Sequence, residues 1–217
     1  KTDIVKMLVE KGLDVTAHDN NAIIILSETT YYCEDIIKNL VDVLVEAGAD
    51  VTARNNQAVI NATKKYNSKV LKVLIEKGAD VTSKDNCALE VAAENMYSDI
   101  VELLLDKGAS VPKEDYRYDN MMRKIIENND LKTLRLIAKQ NIDVSLHHNS
   151  LIILACEKGH ADIVEELIRL GSDVNARDGV PLEEAIKRCS KRTVELLVIN
   201  GAKVEDKHLA LACRDNR

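Results

Sequence analysis

The sequence predicts an all-α fold built from stacked helix-turn-helix layers, and two observations lead to that prediction. First, EAGADVTARNNQAVINA at residues 46–62 is followed thirty residues later by EKGADVTSKDNCALEVA at 76–92. Second, apolar residues recur four apart after each phrase, as with Val70 and Leu74, which is the period of a helix buried on one face. A fixed period of about 30 residues indicates a repeat protein, in which each layer buries its apolar face against the next.

An anchor of the form Gly-x-Asp-Val, or a close variant, marks each layer. The intervals between successive anchors are 36, 30, 30, 33, 30 and 30 residues. The first anchor residue follows the second helix of a layer, where a residue with left-handed backbone ends the helix. Asn141 replaces glycine once, and Asn is the next residue type to tolerate that conformation. The anchors begin at Gly12, Gly48, Gly78, Gly108, Asn141, Gly171 and Gly201.

After each anchor and a few polar residues, a short apolar-periodic stretch ends in a small residue. These residues are Ala62, Ala92, Ala155 and Ala185.

The segment LACEKGHADIVEELIRLGSDVNA, residues 154–176, resembles the ankyrin repeat family through both helices and into the loop. The resemblance covers the whole chain, and it implies one ankyrin-repeat solenoid over 1–217. We expect six full repeats at 14–48, 49–78, 79–108, 109–141, 142–171 and 172–201, with half repeats at 1–13 and 202–217. Because the chain starts inside a second helix without a polar cap, we expect it to be a piece of something longer.

The repeats depart from the usual family period of about 33 residues. Four intervals are 30, and the missing residues come from the loop before the first helix, where only Pro181-Leu182 keeps the Pro-Leu of the family turn. The chain therefore resembles the short-loop ankyrin proteins of giant DNA viruses that infect amoebae.

Repeat 14–48 contains six extra residues around SETTYYCEDIIKN. They fall between its two helices, so we expect a longer helix or a bulge there. Tyr31 and Tyr32 are adjacent and cannot both face inward on a helix, which leaves two alternatives open. One ring contacts a partner, since Tyr is enriched at interfaces, or the rings only pack within their own layer.

Composition excludes several classes of protein. The chain has 46% apolar residues without Phe or Trp, and its net charge is -6 with both signs interspersed. A general nucleic-acid binder would need a strongly basic face. No run of residues reads as a signal peptide or a transmembrane helix. We expect a cytoplasmic protein, in the host cytoplasm if the source is a virus, and the odd number of cysteines without CxxC favours free thiols.

The sequence does not predict an enzyme, a cofactor or a metal site. The five histidines are divided among three repeats, and there is no phosphate loop, GxSxG or HExxH. Cys156 and His160 are four apart, but we expect packing for Cys156 and a backbone hydrogen bond for His160. Asn175 occupies a position that is hydroxylated in ankyrin proteins; we favour a hydrogen-bonding role in the loop.

The resemblance implies a protein-protein interaction scaffold that binds another protein through its concave face, made of loop tips and first helices. Nucleic acid, membrane and small-molecule partners are not expected, nor is oligomerisation. The basic last layers favour an acidic protein patch. An alternative is a substrate-docking or regulatory segment of a larger enzyme or ubiquitin-ligase adaptor. The candidate partner-binding residues are Arg54, Asn55, Lys64, Lys65, Lys84, Asp85, Glu94, Asn95, His147, His148, Glu157, Lys158, Arg177, Asp178, Lys187 and Arg188, together with Tyr31 and Tyr32.

Overall fold

The computed structural model describes residues 2–29, 34–112 and 116–214. These described residues form fourteen α-helices and no β-strand, which confirms the predicted all-α class. The chain divides into two compact units, Lys1–Pro112 and Lys113–Arg217. A single continuous stack over the whole chain stays a prediction.

Helices of the first unit alternate between second and first helices of the repeats. They are α1 Thr2–Glu10, α2 Ala17–Ser27, α3 Glu34–Glu46, α4 Ala53–Lys64, α5 Ser68–Glu76, α6 Ser83–Glu94 and α7 Ser98–Asp106. The first helices α2, α4 and α6 pack on one another in order, and the second helices α1, α3 and α5 do the same. The result is one row of first helices and one row of second helices, and each row buries the apolar face of the other.

The second unit repeats this arrangement. Its helices are α8 Tyr116–Glu127, α9 Leu131–Ala138, α10 Leu146–Lys158, α11 Ala161–Arg169, α12 Ala176–Lys187, α13 Lys191–Ile199 and α14 Asp206–Arg214. The first helices α8, α10, α12 and α14 pack in sequence, and the second helices α9, α11 and α13 form the other layer.

Small and aliphatic side chains make the core, as the absence of Phe and Trp requires. Ala62, Ala92, Ala155 and Ala185 are completely buried, which lets neighbouring first helices approach closely. The apolar pairs of the second helices, such as Val70-Leu71 in α5, are also buried. Burial of each aliphatic side chain contributes about 1.5–3 kcal/mol, so these stripes supply most of the favourable free energy of the stack.

The anchors end the second helices as predicted. The six anchor glycines have φ between 87° and 100°, and Asn141 has φ 52°. At the end of α5, the N–H of Ala79 donates to the carbonyl of Leu74 at 3.0 Å, which satisfies a carbonyl that the helix leaves unpaired.

The insertion in repeat 14–48 lengthens a helix. α3 has 13 residues, against nine in α5 and in α7. Tyr31 and Tyr32 lie outside the described residues. Within the described part of the chain, no helix is long and apolar enough to cross a bilayer.

Candidate protein-interaction surface

Among the described residues, five first helices begin with a three-residue left-handed turn, in which every φ is positive. The non-glycine φ angles of these turns lie between 50° and 65°. A turn this tight needs fewer residues than an extended loop, which explains how the repeats shorten to 30. The turns are His18-Asp19-Asn20, Arg54-Asn55-Asn56, Lys84-Asp85-Asn86, His147-His148-Asn149 and Arg177-Asp178-Gly179.

In four of the five turns the third residue forms a hydrogen bond to the next repeat, which we call the Asn latch. This residue is Asn, which tolerates left-handed backbone, and its side-chain oxygen accepts a backbone N–H of the following anchor. The distances are 2.7 Å from Asp50 to Asn20, 2.7 Å from Asp80 to Asn56, 2.8 Å from Ser110 to Asn86 and 2.9 Å from Asp173 to Asn149. These bonds fix the turn positions of adjacent repeats within each unit.

The fifth turn has Gly179 at the third position and obtains the same bond from another residue. The side-chain oxygen of Asn175 accepts the N–H of Lys203 at 2.9 Å, and its amide donates to the carbonyl of Gly201 at 3.0 Å. Asn175 therefore has the loop hydrogen-bonding role that we expected.

Anchor aspartates support the turns from within their own repeat. Asp14 accepts the backbone N–H of Thr16 at 2.8 Å and its hydroxyl at 2.6 Å, and Asp143 accepts the same two groups of Ser145. Hydrogen bonds favour the ionised carboxylate. The hydroxyl of Thr16 thus lowers the pKa of Asp14, and that of Ser145 lowers the pKa of Asp143.

The first turn position holds His, Arg, Lys, His and Arg in the five turns, and in four of them its side chain contacts another residue of the same unit. Arg54 pairs with Asp19 at 3.3 Å and also donates to the carbonyl of His18. Arg177 donates to the carbonyl of His147 at 3.1 Å. Both arginines reach back to the preceding turn, so these two candidate residues have a structural role.

The other two candidates at this position also have partners within their own unit. Lys84 donates to the side chain of Gln57 at 2.8 Å. The Nε2 atom of His147 lies 2.8 Å from the carboxylate of Asp119. Most side chains at the first turn position are therefore already bonded within the chain, and fewer of them are available to a partner than the sequence indicates.

The second turn position is Asp in three of the five turns, Asn in one and His in one. We call Asp19, Asn55, Asp85, His148 and Asp178 the tip residues; all five are exposed. The side chains of Asn55, His148 and Asp178 make no hydrogen bond or ion pair with the described part of the chain. The second turn position thus presents an amide, an imidazole and a carboxylate in three repeats whose turns have the same backbone conformation.

The remaining candidates lie at the opposite end of the first helices. Lys64, Lys65, Glu94 and Asn95 lie at the C-terminal ends of α4 and α6 or just beyond. At 1.5 Å per residue, the right-handed part of a first helix separates them from the tips by roughly 12 Å. Glu157, Lys158, Lys187 and Arg188 have the same place in α10 and α12. The structure thus splits the predicted set into two rows.

Carboxylates of the chain neutralise much of the basic character near the C-terminal end of the second unit. Arg192 lies 2.5 Å from Asp162 and 3.3 Å from Glu165. Lys187 pairs with Glu184 at 2.6 Å. The field available to attract an acidic partner is therefore weaker than the count of basic residues indicates.

Cys156 and His160 have packing and backbone contacts. Burial raises the pKa of Cys156 to about 12, so it stays a neutral thiol. The Nε2 atom of His160 lies 3.4 Å from the carbonyl of Glu127. Among the described residues, no group of three or more His, Cys, Asp and Glu side chains could hold a metal ion.

Comparison with known families identifies the architecture. Residues 30–115 and 121–208 each match the family model described as "Ankyrin repeats (3 copies)". The chain belongs to the ankyrin repeat family. This confirms the resemblance seen in the sequence and includes repeats whose loop is three residues short.

A curated relative of this ankyrin repeat protein is viral. The chain is 27% identical over 95 residues to "Putative ankyrin repeat protein FPV034" of fowlpox virus (strain NVSL), a stretch that is 42% of this chain and 23% of the relative. The chain thus matches about a quarter of that relative's length.

Two solved structures share the fold. The crystal structure of the human ASB11 ankyrin repeat domain has a TM-score of 0.61 at 20% identity, covering 82% of this chain and 93% of that domain. The ankyrin repeat domain of Bcl-3, a member of the IkappaB protein family, has a TM-score of 0.64 at 23% identity and covers 91% of each chain. At these identities the likeness shows the fold alone.

The left-handed turn is the structural feature of this surface that the sequence-based interpretation missed. A signal was present, because Asn20, Asn56, Asn86 and Asn149 each follow the first residue of an anchor by eight positions. In these ankyrin repeats the fixed spacing reflects the latch to the next repeat.

Proposed function

We propose that this ankyrin repeat protein is a protein-interaction module that binds a partner protein through its tip residues. The observation that carries the proposal is the latched left-handed turn. Its third residue is fixed by the next repeat, its first residue is largely used within the stack, and its second residue is exposed and variable. Ankyrin repeats generally mediate binding between proteins, which supports the same function.

Rigidity is the physical reason for choosing the tip residues. Ordering a flexible loop at an interface costs free energy that reduces affinity. The Asn latches hold the turns in place before any partner arrives, so little of that cost remains. Side chains on such turns contribute both affinity and specificity.

Free thiols support a cytoplasmic location for this function. The described cysteines Cys87, Cys156, Cys189 and Cys213 are all unpaired with one another. Unpaired cysteines are typical of proteins in a reducing compartment.

Exchanging the side chains of two tip residues tests the proposal while the turn keeps its backbone conformation. Asn55→Asp with Asp178→Asn keeps residue types that tolerate left-handed backbone. After the partner has been identified by crosslinking and mass spectrometry, its Kd is measured by calorimetry. We expect an affinity loss of about tenfold or more with an unchanged Tm.

A matched pair of substitutions controls for the change of charge. Asp162→Asn with Asn200→Asp makes the same chemical exchange away from the turns, at exposed sites of α11 and the end of α13. It should leave the Kd unchanged. Equal effects of the two pairs, or no effect of the tip exchange, would refute the role of the tip residues.

A further inference from the structure

The turn at Gly179 is the one among the five left-handed turns that lacks the Asn side chain. In the other four turns this side chain fills the space between the turn and the next anchor, where it forms the Asn latch. Gly179 has φ 91°, and among the described residues a Cβ placed on it would meet only the Nε2 atom of His208, at 4.0 Å. The space that Asn occupies in the other turns is therefore open here, and it borders His208.

His208 is a polar residue at a position that is apolar in other repeats. It lies four residues before Ala212 of α14, and it is only 3% exposed. In α4, α6, α10 and α12 the residue four before the buried alanine is apolar and buried: Ala58, Ala88, Leu151 and Pro181. Burial of a polar group is unfavourable unless the group is hydrogen-bonded. Packing by itself therefore does not select a histidine here.

One ring nitrogen of His208 is bonded within the chain and the other is not. Nδ1 accepts the backbone N–H of Glu205 at 2.9 Å, so the proton of the neutral ring is on Nε2. Nε2 is buried and has no hydrogen-bond partner among the described residues. A buried donor without an acceptor is unfavourable. The space beside Gly179 thus contains a donor that an entering oxygen atom would satisfy.

Gly179 lines a cavity of about 270 Å³ on the surface of the second unit, which we call the Gly179 cavity. The other lining residues are Asn175, Asp178, Lys203, Glu205 and Lys207. Two lysines thus face two carboxylates, and Lys207 already pairs with Glu205 at 3.3 Å and with Glu183, outside the lining, at 3.0 Å. The two remaining charges, Lys203 and Asp178, have opposite signs. This lining suits a neutral group that both accepts and donates hydrogen bonds, whereas an added carboxylate or ammonium would leave an unbalanced charge.

We propose that the Gly179 cavity binds the carboxamide of an Asn or Gln side chain of the partner protein. Its oxygen accepts the Nε2–H of His208, and its amino group donates to the carboxylate of Asp178. The backbone N–H that an Asn latch would use, that of Lys203, is already bonded to Asn175, so the entering carboxamide is directed to His208. The four Asn latches show that a carboxamide fits this place in the turn.

This site rests on the proposed function, because Asp178 is a tip residue. It adds the class of partner side chain that the last turn recognises. It also accounts for two substitutions together, since Gly179 opens the space and His208 supplies a donor in it.

Three small probes of nearly the same size test the chemistry of the cavity: propionamide, propionate and propylammonium. Each is titrated into the 217-residue chain, and binding is followed by NMR shifts of backbone amides and of the His208 imidazole. We expect saturable shifts with propionamide at residues 175–179 and 203–208, and at least about tenfold weaker binding of both charged probes. No saturation with propionamide, equal binding of the three probes, or shifts located elsewhere would overturn the proposal.

Filling the cavity from within the chain should abolish binding of the probe. Gly179→Asn supplies the missing side chain, and Gly78→Asn makes the same change at the same φ of 91°, where a Cβ would meet no atom within 4 Å. We expect Gly179→Asn to keep or raise the Tm and to weaken propionamide binding by at least about tenfold, while Gly78→Asn binds as the unmodified chain does. Propionamide binding that survives in Gly179→Asn would refute the site.

A change at His208 tests the donor separately. His208→Asn keeps an acceptor near the N–H of Glu205 but removes the Nε2–H. We expect propionamide binding at least about tenfold weaker, with shifts of residues 175–179 as the measurement. Unchanged binding would mean that His208 does not recognise the amide, which contradicts the proposal.

Partner binding distinguishes the occupant and separates this site from the other tip residues. Gly179→Asn should weaken the partner Kd by at least about tenfold, and Gly78→Asn should not. Propionamide binding without that loss would assign the cavity to a free small amide and overturn the partner side chain as its occupant. Asn55→Asp alone leaves the cavity unchanged. A loss of partner affinity in Asn55→Asp with none in Gly179→Asn would support the tip residues and refute the cavity, and the reverse result would support the cavity alone.

Discussion

The side-chain oxygen of Asn56 accepts the backbone N–H of Asp80 at 2.7 Å, which joins the turn of one repeat to the anchor of the next. Asn56 is buried, whereas its neighbour Asn55 is exposed. Both residues have nearly the same left-handed backbone, with φ 56° and 55°. Two identical side chains in succession thus differ in their surroundings: one is bonded to the next repeat and the other is exposed.

Comparing substitutions at Asn56 and Asn55 measures how much the hydrogen bond of Asn56 stabilises the stack. Asn56→Ala removes the hydrogen bond and places Ala in left-handed backbone, whereas Asn55→Ala has only the second effect. We expect Asn56→Ala to reduce the free energy of unfolding by about 1–3 kcal/mol more than Asn55→Ala, because the N–H of Asp80 loses its partner. Chemical denaturation of both variants measures the difference. Equal losses would show that the Asn56 latch does not stabilise the stack.

A second prediction concerns the repeat that lacks the Asn latch. Asn175→Thr should destabilise the chain by about 1–2 kcal/mol, since Lys203 and Gly201 both lose a hydrogen-bond partner. Adding Gly179→Asn places an Asn at the third turn position, where a Cβ would make only an ordinary contact, 4.0 Å from His208.

The double variant should therefore recover part of the lost free energy of unfolding. A double-mutant cycle by denaturation measures this coupling. Strictly additive losses would mean that Asn175 does not replace the missing Asn latch.

The anchor conformation gives a third prediction. A Cβ on Gly78 would meet no atom within 4 Å, so only the backbone, at φ 91°, opposes a side chain. We expect Gly78→Val to lower the free energy of unfolding by about 1–3 kcal/mol. Asn141→Gly, at φ 52°, should be neutral or slightly stabilising. An unchanged Tm for Gly78→Val would contradict the role of the anchor residue in ending α5.

A buried carboxylate in the second unit makes stability depend on pH. Glu166 is 3% exposed, and its oxygens lie 3.0 Å from the Nε atoms of Arg169 and Arg135. Hydrogen bonds from Arg169, assisted by Arg135, lower the pKa of Glu166 below its ordinary value of 4.5. The stabilisation is therefore fully present above pH 4.5 and is lost as the pH falls through the lowered pKa.

Glu166→Gln should cost about 1–2 kcal/mol at pH 7, a value reduced by the exposure of both arginines. The difference from the unmodified chain should shrink as the pH is lowered below 4.5. Urea unfolding from pH 7 to pH 3 measures it, and Glu165→Gln, at an exposed neighbouring carboxylate, is the control. A pH-independent difference would mean that the charge of Glu166 is not what stabilises this contact.

The sequence by itself determined the layers. Helical period, anchor glycines and small residues such as Ala62 are set by contacts that every repeat makes with its neighbours, so the same physical requirement appears again and again in the chain. Asn141 as the one substitute for an anchor glycine follows from backbone sterics alone. These local rules predicted the all-α class, the ends of the second helices and the burial of Cys156.

Only the tertiary structure decided which polar residues bond to a neighbouring repeat and which are left exposed. Asn55 and Asn56 are the same residue type. Their roles differ because the next repeat supplies a backbone N–H to Asn56 alone. The sequence predicts Arg54 as an exposed charge for a partner, whereas the structure shows that it bonds to the preceding turn. Bonds between residues some 24 to 36 positions apart depend on how repeats stack, and no local pattern encodes that geometry.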